Sequence, residues 1–284
     1  MAQSLRQIKA RIRSIDSTKK LTRAMEMISA VKLKRSSKMF DISEIYFSKI
    51  EALLSGILPE GMAWINPFLE NRAGKHKIGF CVITSDTGLC GNYNYNIIRT
   101  VENFLSKYPQ DKILLSVLGR KGFSYFKKRG FAIAHSYAGF NGRYSDDLCA
   151  KLLKGLTDMF LRDEADEVYF AYVHSGNAYN NKPVVEKLLN IDFFKKGKIE
   201  YIFEPGIERV LEELIPVYLF NKVKRIILSA FTAEHRARAV SMGEATKNAI
   251  DLLEGLVLSR NKIRQSSITG EIMEVISSAE ALKG

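Results

Sequence analysis

Residues 217–282 read VYLFNKVKRIILSAFTAEHRARAVSMGEATKNAIDLLEGLVLSRNKIRQSSITGEIMEVISSAEAL. Pro216 is the last proline of the chain, so nothing beyond it forces a helix break. Most of the stretch is good helix former. At about 1.5 Å per residue it predicts a rod on the order of 100 Å long, more than a compact domain uses. Such a rod spans something or is gripped by something.

The other end of the chain supplies a mate. From Gln3 to Ser55 there is neither Pro nor Gly, and Leu5, Ile8, Ile12 and Ile15 step by three and four. That spacing is a coiled-coil seam. The phase is expected to slip between Thr18 and Thr22 and to resume at Leu21, Met25 and Ile28, then Met39 and Ile42. The C-terminal run carries its own stripe at Ala249, Leu252, Leu256, Ile263, Ile268, Ile272, Ile276 and Ala279. Two long helices with one apolar seam each pair most simply with each other. The alternative is a separate partner for each seam.

Between the ends the pattern changes. Gly56, Pro59, Gly61, Pro67 and Gly74 punctuate a linker. Strand-like runs HKIGFCVITSD, KILLSVLG, FAIAHSY and DEVYFAYVHS then alternate with helical stretches near 96–108, within GRKGFSYFKKRG and near 146–162, with KPVVEKLLNID strand-like and EYIFEP able to close the sheet. Alternation of this kind predicts a parallel or mostly parallel α/β sheet. The expected fold is therefore α/β plus coiled coil: a long antiparallel coiled coil of N- and C-terminal helices with an inserted Rossmann-like α/β domain. Its parts are an N-terminal helix over 1–57, a central α/β domain over 75–205 and a C-terminal helix over 208–284.

Composition narrows the function. The 284 residues carry a formal charge of +12. Between Met1 and Phe40 eleven basic residues face only Asp16 and Glu26, so a net +9 lies on the first helix. A basic rod suits nucleic acid, an anionic membrane or acidic protein surfaces. No RNP-like aromatic motif, zinc-ligand spacing or leucine zipper supports the first of these, and no apolar run reaches the roughly 20 residues of a membrane span. Cys81, Cys90 and Cys149 are odd in number and lack CxxC spacing, which favours reduced thiols in a cytosolic compartment over a disulfide framework or a zinc site.

Catalysis finds little footing. The turn from Asp86 to Gly91 stands where a nucleotide-binding fold places its phosphate loop, yet it matches neither GxGxxG nor GxxxxGK[ST]. Gly88, Cys90 and Gly91 read as a structural turn. Cys90 at a helix start is a candidate nucleophile, but no histidine in the sequence pairs with it. Asp146-Asp147 and Asp163-Glu164 read as helix-start and solvent-facing pairs. No catalytic, metal or cofactor constellation emerges. The competing readings are a basic coiled-coil scaffold or nucleic-acid-binding hairpin with an α/β insert, and an α/β enzyme using Cys90.

SLRQIKARIRSIDSTKKLTRAMEMISAVKLKR at the start, ITSDTGLCGNYN, GRKGFSYFKKRG and YIFEP in the middle, and AEHRARAVSMGEATKNA with NKIRQSSITGEIMEVISSAEAL at the end together resemble the gamma subunit of F-type ATP synthases. The likeness runs in order through essentially the whole chain. Thr87 and Asn92 depart from the family's usual Arg and Gly. Lys222, Lys224, Ser229 and Arg260 stand where Gln, Tyr, Glu and Tyr are common.

The resemblance implies a non-catalytic rotor shaft, with one gamma inside three alpha–beta pairs and the catalytic sites on beta. It also implies an epsilon subunit, a membrane c-ring below, no cofactor, no nucleic acid and no small-molecule substrate. The implied location is peripheral, on the cytoplasmic face of a cell membrane of bacterial type, with no transmembrane segment. Carried over by position, Met25, Arg238, Arg264 and Gln265 meet an acidic loop of beta, with the last three facing Met25's region across the hairpin. Tyr201 and Glu204 fall in the foot on the rotor ring, and the apolar tail Ile268–Leu282 turns in a hydrophobic sleeve.

Overall fold

The computed structural model describes residues 5–57, 66–70, 72, 77–176, 181–191 and 206–281. The chain separates into two compact units, residues 1–28 with 239–284 and residues 29–238. Two helices contribute to both: α1 (Leu5–Ile57) and α5 (Ile207–Ala281).

The larger unit holds a five-stranded sheet in the order β3-β2-β1-β4-β5. Its strands are β1 (Ile78–Ile83), β2 (Ile113–Leu118), β3 (Ala132–Tyr137), β4 (Glu167–Ser175) and β5 (Asn181–Leu189). The first four are parallel, and β5 returns antiparallel to β4. Between them run α2 (Tyr93–Leu105), α3 (Arg120–Lys128) and α4 (Asp146–Leu161). β1 is apolar at every position and buried at every position, because a central parallel strand has helices over both faces. β3 lies at the edge and alternates half-buried with exposed.

Each face of the sheet has its own core. Phe80, Val82 and Val117 pack with Tyr93, Ile97 and Val101 of α2 and Phe126 of α3. Cys81, Ile83 and Phe170 pack with Leu152 and Leu156 of α4, Phe47 and Leu54 of α1, and Leu211 to Phe231 of α5. α4 starts as its sequence implies: Ser145 Oγ accepts the Leu148 N–H at 3.2 Å, and Asp146 and Asp147 sit in the first turn against the helix dipole. α5 starts before Pro216 and runs through it. The missing N–H costs the helix one bond, but Leu211, Ile215, Tyr218 and Leu219 around it are all buried. Packing holds the turn.

The seam of α1 departs from the expected phase. Buried or half-buried positions recur every seven residues without a slip, at Ile8, Ile15, Thr22, Ser29, Ser36, Ser43, Ile50 and Ile57. Leu21, Ile28 and Ile42, expected in the seam, are 61%, 58% and 61% exposed. The midsection of the seam is built from hydroxyls. Thr22 Oγ1 and Ser36 Oγ donate to their own helix carbonyls three residues back, at 3.1 Å each. Small side chains satisfied this way can be buried at little cost and leave the larger apolar residues to the outside.

In the smaller unit α1 and α5 are antiparallel. Thr246 Oγ1 donates to Thr22 Oγ1 at 2.9 Å, and both residues are buried. Gly243 lies against Glu26, whose carboxylate would come within 3.4 Å of an added Cβ. Ala249 is buried as expected, but Leu252 points outward at 58% exposure, and Leu253 takes the inward position. The register puts Leu5 level with Ile263 on α5. Beyond that level α5 meets no described partner, and every residue from Arg264 to Ala281 is exposed.

Candidate functional site

In a doubly wound sheet, ligands enter the crevice at the carboxyl ends of the strands, where the strand order turns. Here that point lies between β1 and β4, and α5 fills it. Tyr93 at the start of α2 donates its hydroxyl to the Ala230 carbonyl at 3.2 Å. Ser229 Oγ accepts the Ser175 N–H at the end of β4 at 2.8 Å. Arg236 reaches the Gly176 carbonyl at 3.3 Å. Ala233 is fully buried in the core beside α2.

The turn after β1 is locked from both sides. Asp86 accepts three backbone N–H groups: Arg120 at 3.2 Å through Oδ1, and Gly139 and Asn141 at 3.0 and 2.8 Å through Oδ2. It thus ties β1 to the start of α3 and to the β3–α4 loop. From α5, Arg238 donates to the Gly88 carbonyl at 3.3 Å, the Thr87 carbonyl at 3.1 Å and Thr87 Oγ1 at 3.2 Å. Its guanidinium also pairs with Glu234 at 2.8 Å, both side chains being under 10% exposed. Burial holds the Glu234 carboxyl above the usual range, and the charge of Arg238 opposes that shift. His235 completes the latch through Nε2 and the Gly142 carbonyl, 2.9 Å apart. Burial pushes its pKa down to about 4, reinforced by the nearby charges of Lys32 and Arg238, so the ring is neutral and Nε2–H is the donor.

The residues singled out in this turn have distinct roles. Gly91 adopts a positive φ of 56°, as does Leu89 at 61°, so glycine at 91 relieves strain. Gly88 has room for a side chain, its nearest neighbour being Lys121 at 3.8 Å. The close strand-to-helix approach occurs elsewhere, at Gly122, where a Cβ would stand 2.8 Å from Thr84 Oγ1. Cys90 is buried, accepts from Asn94 Nδ2 at 3.2 Å and lies 3.7 Å from Ser85 Oγ. No base touches it among the described residues, so it has the environment of a structural thiol and not of a nucleophile. Burial alone pushes the thiol of Cys81 well up, and mainly burial pushes that of Cys149 up to about 12. No cluster of metal-binding type occurs among the described residues.

On the terminal helices, Met25 is half-buried one residue before Glu26, so it stands close to the level of Gly243. Arg264 and Gln265 are exposed. They lie more than twenty residues further along α5, about 30 Å away at helical rise. This corrects the expectation that they face Met25 across the hairpin: the two groups occupy separate levels. Arg238 is buried and engaged by its own chain. Tyr201, Glu204 and the EYIFEP run lie outside the described residues.

Sequence reasoning missed the latch of Asp86, Glu234 and His235. Its signal was AEHRAR, a dense charged segment immediately after the apolar run RIILSAF on one helix. Two of the family departures have partners at this crevice. Thr87 supplies a hydroxyl to Arg238, and Ser229 is small enough to accept the N–H at the end of β4.

Fold and site together define a class: a long-helix protein with a doubly wound α/β insert whose ligand crevice is closed by the chain's own helix. The family model described as ATP synthase matches residues 4–282. The gamma chain of Moorella thermoacetica ATP synthase is 37% identical over 281 residues, covering 98% of this chain and 99% of the relative. That of Chlorobium phaeobacteroides is 33% identical, covering 99% of each. In solved structures the fold matches a chain of the Euglena gracilis mitochondrial ATP synthase F1/c-ring assembly, with TM-score 0.69, 15% identity, and 98% and 94% coverage. It also matches a chain of the Tetrahymena thermophila central stalk/c-ring assembly, with TM-score 0.61, 21% identity, and 79% and 99% coverage. This chain belongs to the ATP synthase gamma chain family.

Proposed function

We propose that this chain works as the central-stalk rotor subunit of an F-type ATP synthase, coupling rotation of a membrane c-ring to conformational change at catalytic sites carried by beta. The observation that carries the reading is the match to gamma chains along 98–99% of both sequences at 33–37% identity. The chain itself supplies no reaction centre in this proposal: its doubly wound crevice is filled by residues 229–238 of α5. Partners are the alpha–beta hexamer, an epsilon subunit and the c-ring. No described helix is long and apolar enough to cross a membrane, which suits a peripheral position, proposed to be on the cytoplasmic face.

Torque needs a partner that responds differently to different faces of the rotor, since equal contact with every state shifts nothing. The helix faces differ in the required way. α1 exposes Leu21, Ile28 and Val31 beside a row of lysines and arginines. The end of α5 exposes Ile268, Ile272, Val275 and Ile276. Met25 serves one level of contact with beta, and Arg264 with Gln265 serves a second. An exposed guanidinium makes charge-assisted bonds to carboxylates that can be broken and remade at each step. Arg238 contributes from within, by holding the β1 turn against α5. Tyr201 and Glu204 are proposed to belong to the foot on the ring.

The test is reconstitution with the alpha and beta subunits of the same source. A complex with one copy of this chain per three alpha–beta pairs that hydrolyses ATP, while the chain alone is inert, is the expected result. Absence of a complex, or turnover by the chain alone, refutes the reading. Within an active complex, Arg264→Ala with Gln265→Ala is expected to lower coupled ATPase and leave the melting of the isolated chain unchanged.

A further inference from the structure

Within the larger unit, α1, the β3–α4 loop and α5 line an open pocket of about 440 Å³. Its polar lining includes Lys32, Arg35, Arg143 and His235, and no carboxylate lines it. The nearby carboxylates are spent elsewhere. Glu234 pairs with Arg238, Asp86 accepts three backbone N–H groups, and Asp146 accepts the Tyr144 hydroxyl at 2.6 Å. The guanidinium groups of Arg35 and Arg143 make no hydrogen bond or ion pair with described residues. Lys32 donates to the Asn141 carbonyl at 3.2 Å. Its ammonium is held below the usual range by burial first and by the charge of Arg143 next. Three cations at a concave surface, none of them ion-paired with a carboxylate among the described residues, focus a positive potential that Glu234 offsets only in part at Lys32.

His235 adds a second, independent feature. Its ring is 1% exposed, and because Nε2–H donates to Gly142, Nδ1 is an acceptor. That buried acceptor has no partner among the described residues. A buried polar atom without a partner costs free energy, and a ligand that brings a proton to it recovers that cost. Carboxylates and sulfate esters arrive fully ionised at neutral pH. A phosphomonoester titrates near pH 6, so its phosphate and Nδ1 can share one proton between them while the remaining oxygens meet the three cations. The other wall is apolar, formed by Val31, Met39, Leu228 and Phe231, and the cavity exceeds the size of a bare phosphate.

We propose that this cavity binds a phosphomonoester, with the phosphate held by Lys32, Arg35 and Arg143 beside His235, and with an apolar or aromatic body against Leu228 and Phe231. The ligand is a bound effector and not a substrate in this proposal, which assigns no serine, threonine or cysteine nucleophile among the described residues to the phosphate position and has His235 Nδ1 serve only to share its proton. This site does not depend on the rotor reading.

The test is calorimetric titration of the purified full chain at low salt with phenyl phosphate, inorganic phosphate, phenyl sulfate and benzoate. The expected result is saturable, sub-millimolar binding of one phenyl phosphate per chain, with the other three at least tenfold weaker. Arg35→Ser with Arg143→Ser, both exposed and therefore harmless to folding, should weaken phenyl phosphate at least tenfold while the melting temperature holds. Equal binding of phenyl sulfate overturns the phosphate assignment, and equal binding of inorganic phosphate overturns the apolar half. Absence of saturable binding, or indifference to the arginine pair, overturns the site. Loss of phenyl phosphate binding in the complex assembled with alpha and beta would show a protein contact surface instead and would also overturn the proposal.

Discussion

Arg238 separates two roles that the isolated chain can tell apart. In the structure its guanidinium is paired with Glu234 at 2.8 Å and bonded to two carbonyls and a hydroxyl of the 87–88 turn. Arg238→Met removes those bonds and leaves Glu234, 1% exposed, without its partner. Breaking a buried pair from one side costs about 3–5 kcal/mol. Protonation of Glu234, whose carboxyl already sits above its usual range because of burial, offsets part of that, so about 3 kcal/mol is expected at pH 7. The double change Arg238→Met with Glu234→Leu leaves no orphan charge and should recover more than half of the loss. The measurement is urea unfolding of the isolated full chain for wild type, both single variants and the double, read as a double-mutant cycle. A loss below about 1 kcal/mol for Arg238→Met, with normal stability but impaired ATPase after assembly, would refute the latch. Arg238 would then be a partner contact instead.

Three further outcomes follow from the same geometry. Glu186 accepts the Tyr172 hydroxyl and Arg225 at 2.6 Å each, with Lys222 at 3.7 Å. Glu186→Gln removes the nearest carboxylate from two cations that are 11% exposed, leaving Arg225 with Glu44 at 3.6 Å and Lys222 with the Lys187 carbonyl, and is expected to cost about 3 kcal/mol in denaturant unfolding; an unchanged midpoint refutes it. His235 titrates near 6.5 when unfolded and at about 4 when folded, so the unfolded chain takes up the proton first as pH falls. Stability is full above pH 6.5 and declines from there to about pH 4, by on the order of 3 kcal/mol. His235→Gln should flatten that part of the pH–stability curve, and an unaltered slope counts against the assignment. Removing residues 269–284 deletes only exposed described side chains, so the remaining chain should melt within about 2 °C of wild type, while assembly with alpha and beta weakens; collapse of the whole chain on truncation would refute the independence of the tail.

The strands and the pairing of the long helices were legible because periodicity reports burial directly. IGFCVI has no polar position and is buried throughout; DDLCAKLLKGLTDMFL begins with a serine cap and an acidic turn. The phase of α1 was not legible for a physical reason. Apolarity marks a seam only where the seam is apolar, and at Thr22, Ser29, Ser36 and Ser43 the inward positions are hydroxyls. Leu21, Ile28 and Ile42 then form a false stripe that belongs to the outside. The same error placed Leu252 inward on α5 and hid Leu253.

The latch was illegible for a different reason. Asp86 and Arg238 are 152 positions apart in the sequence, and each reads alone as a solvated charge. What converts them into structure is the closing of a crevice that the α/β topology opens at the ends of β1 and β4. A doubly wound sheet without a ligand leaves backbone groups there that need partners, because buried peptide groups are rarely left unpaired. Asp86 satisfies three N–H groups, Arg238 two carbonyls, and Ser229 one further N–H. α5 thus stands where a nucleotide would stand in a binding protein of the same topology. A helix fastened at that point cannot be displaced without exposing those groups, so force applied along α5 is borne by the sheet as well as by the helix itself.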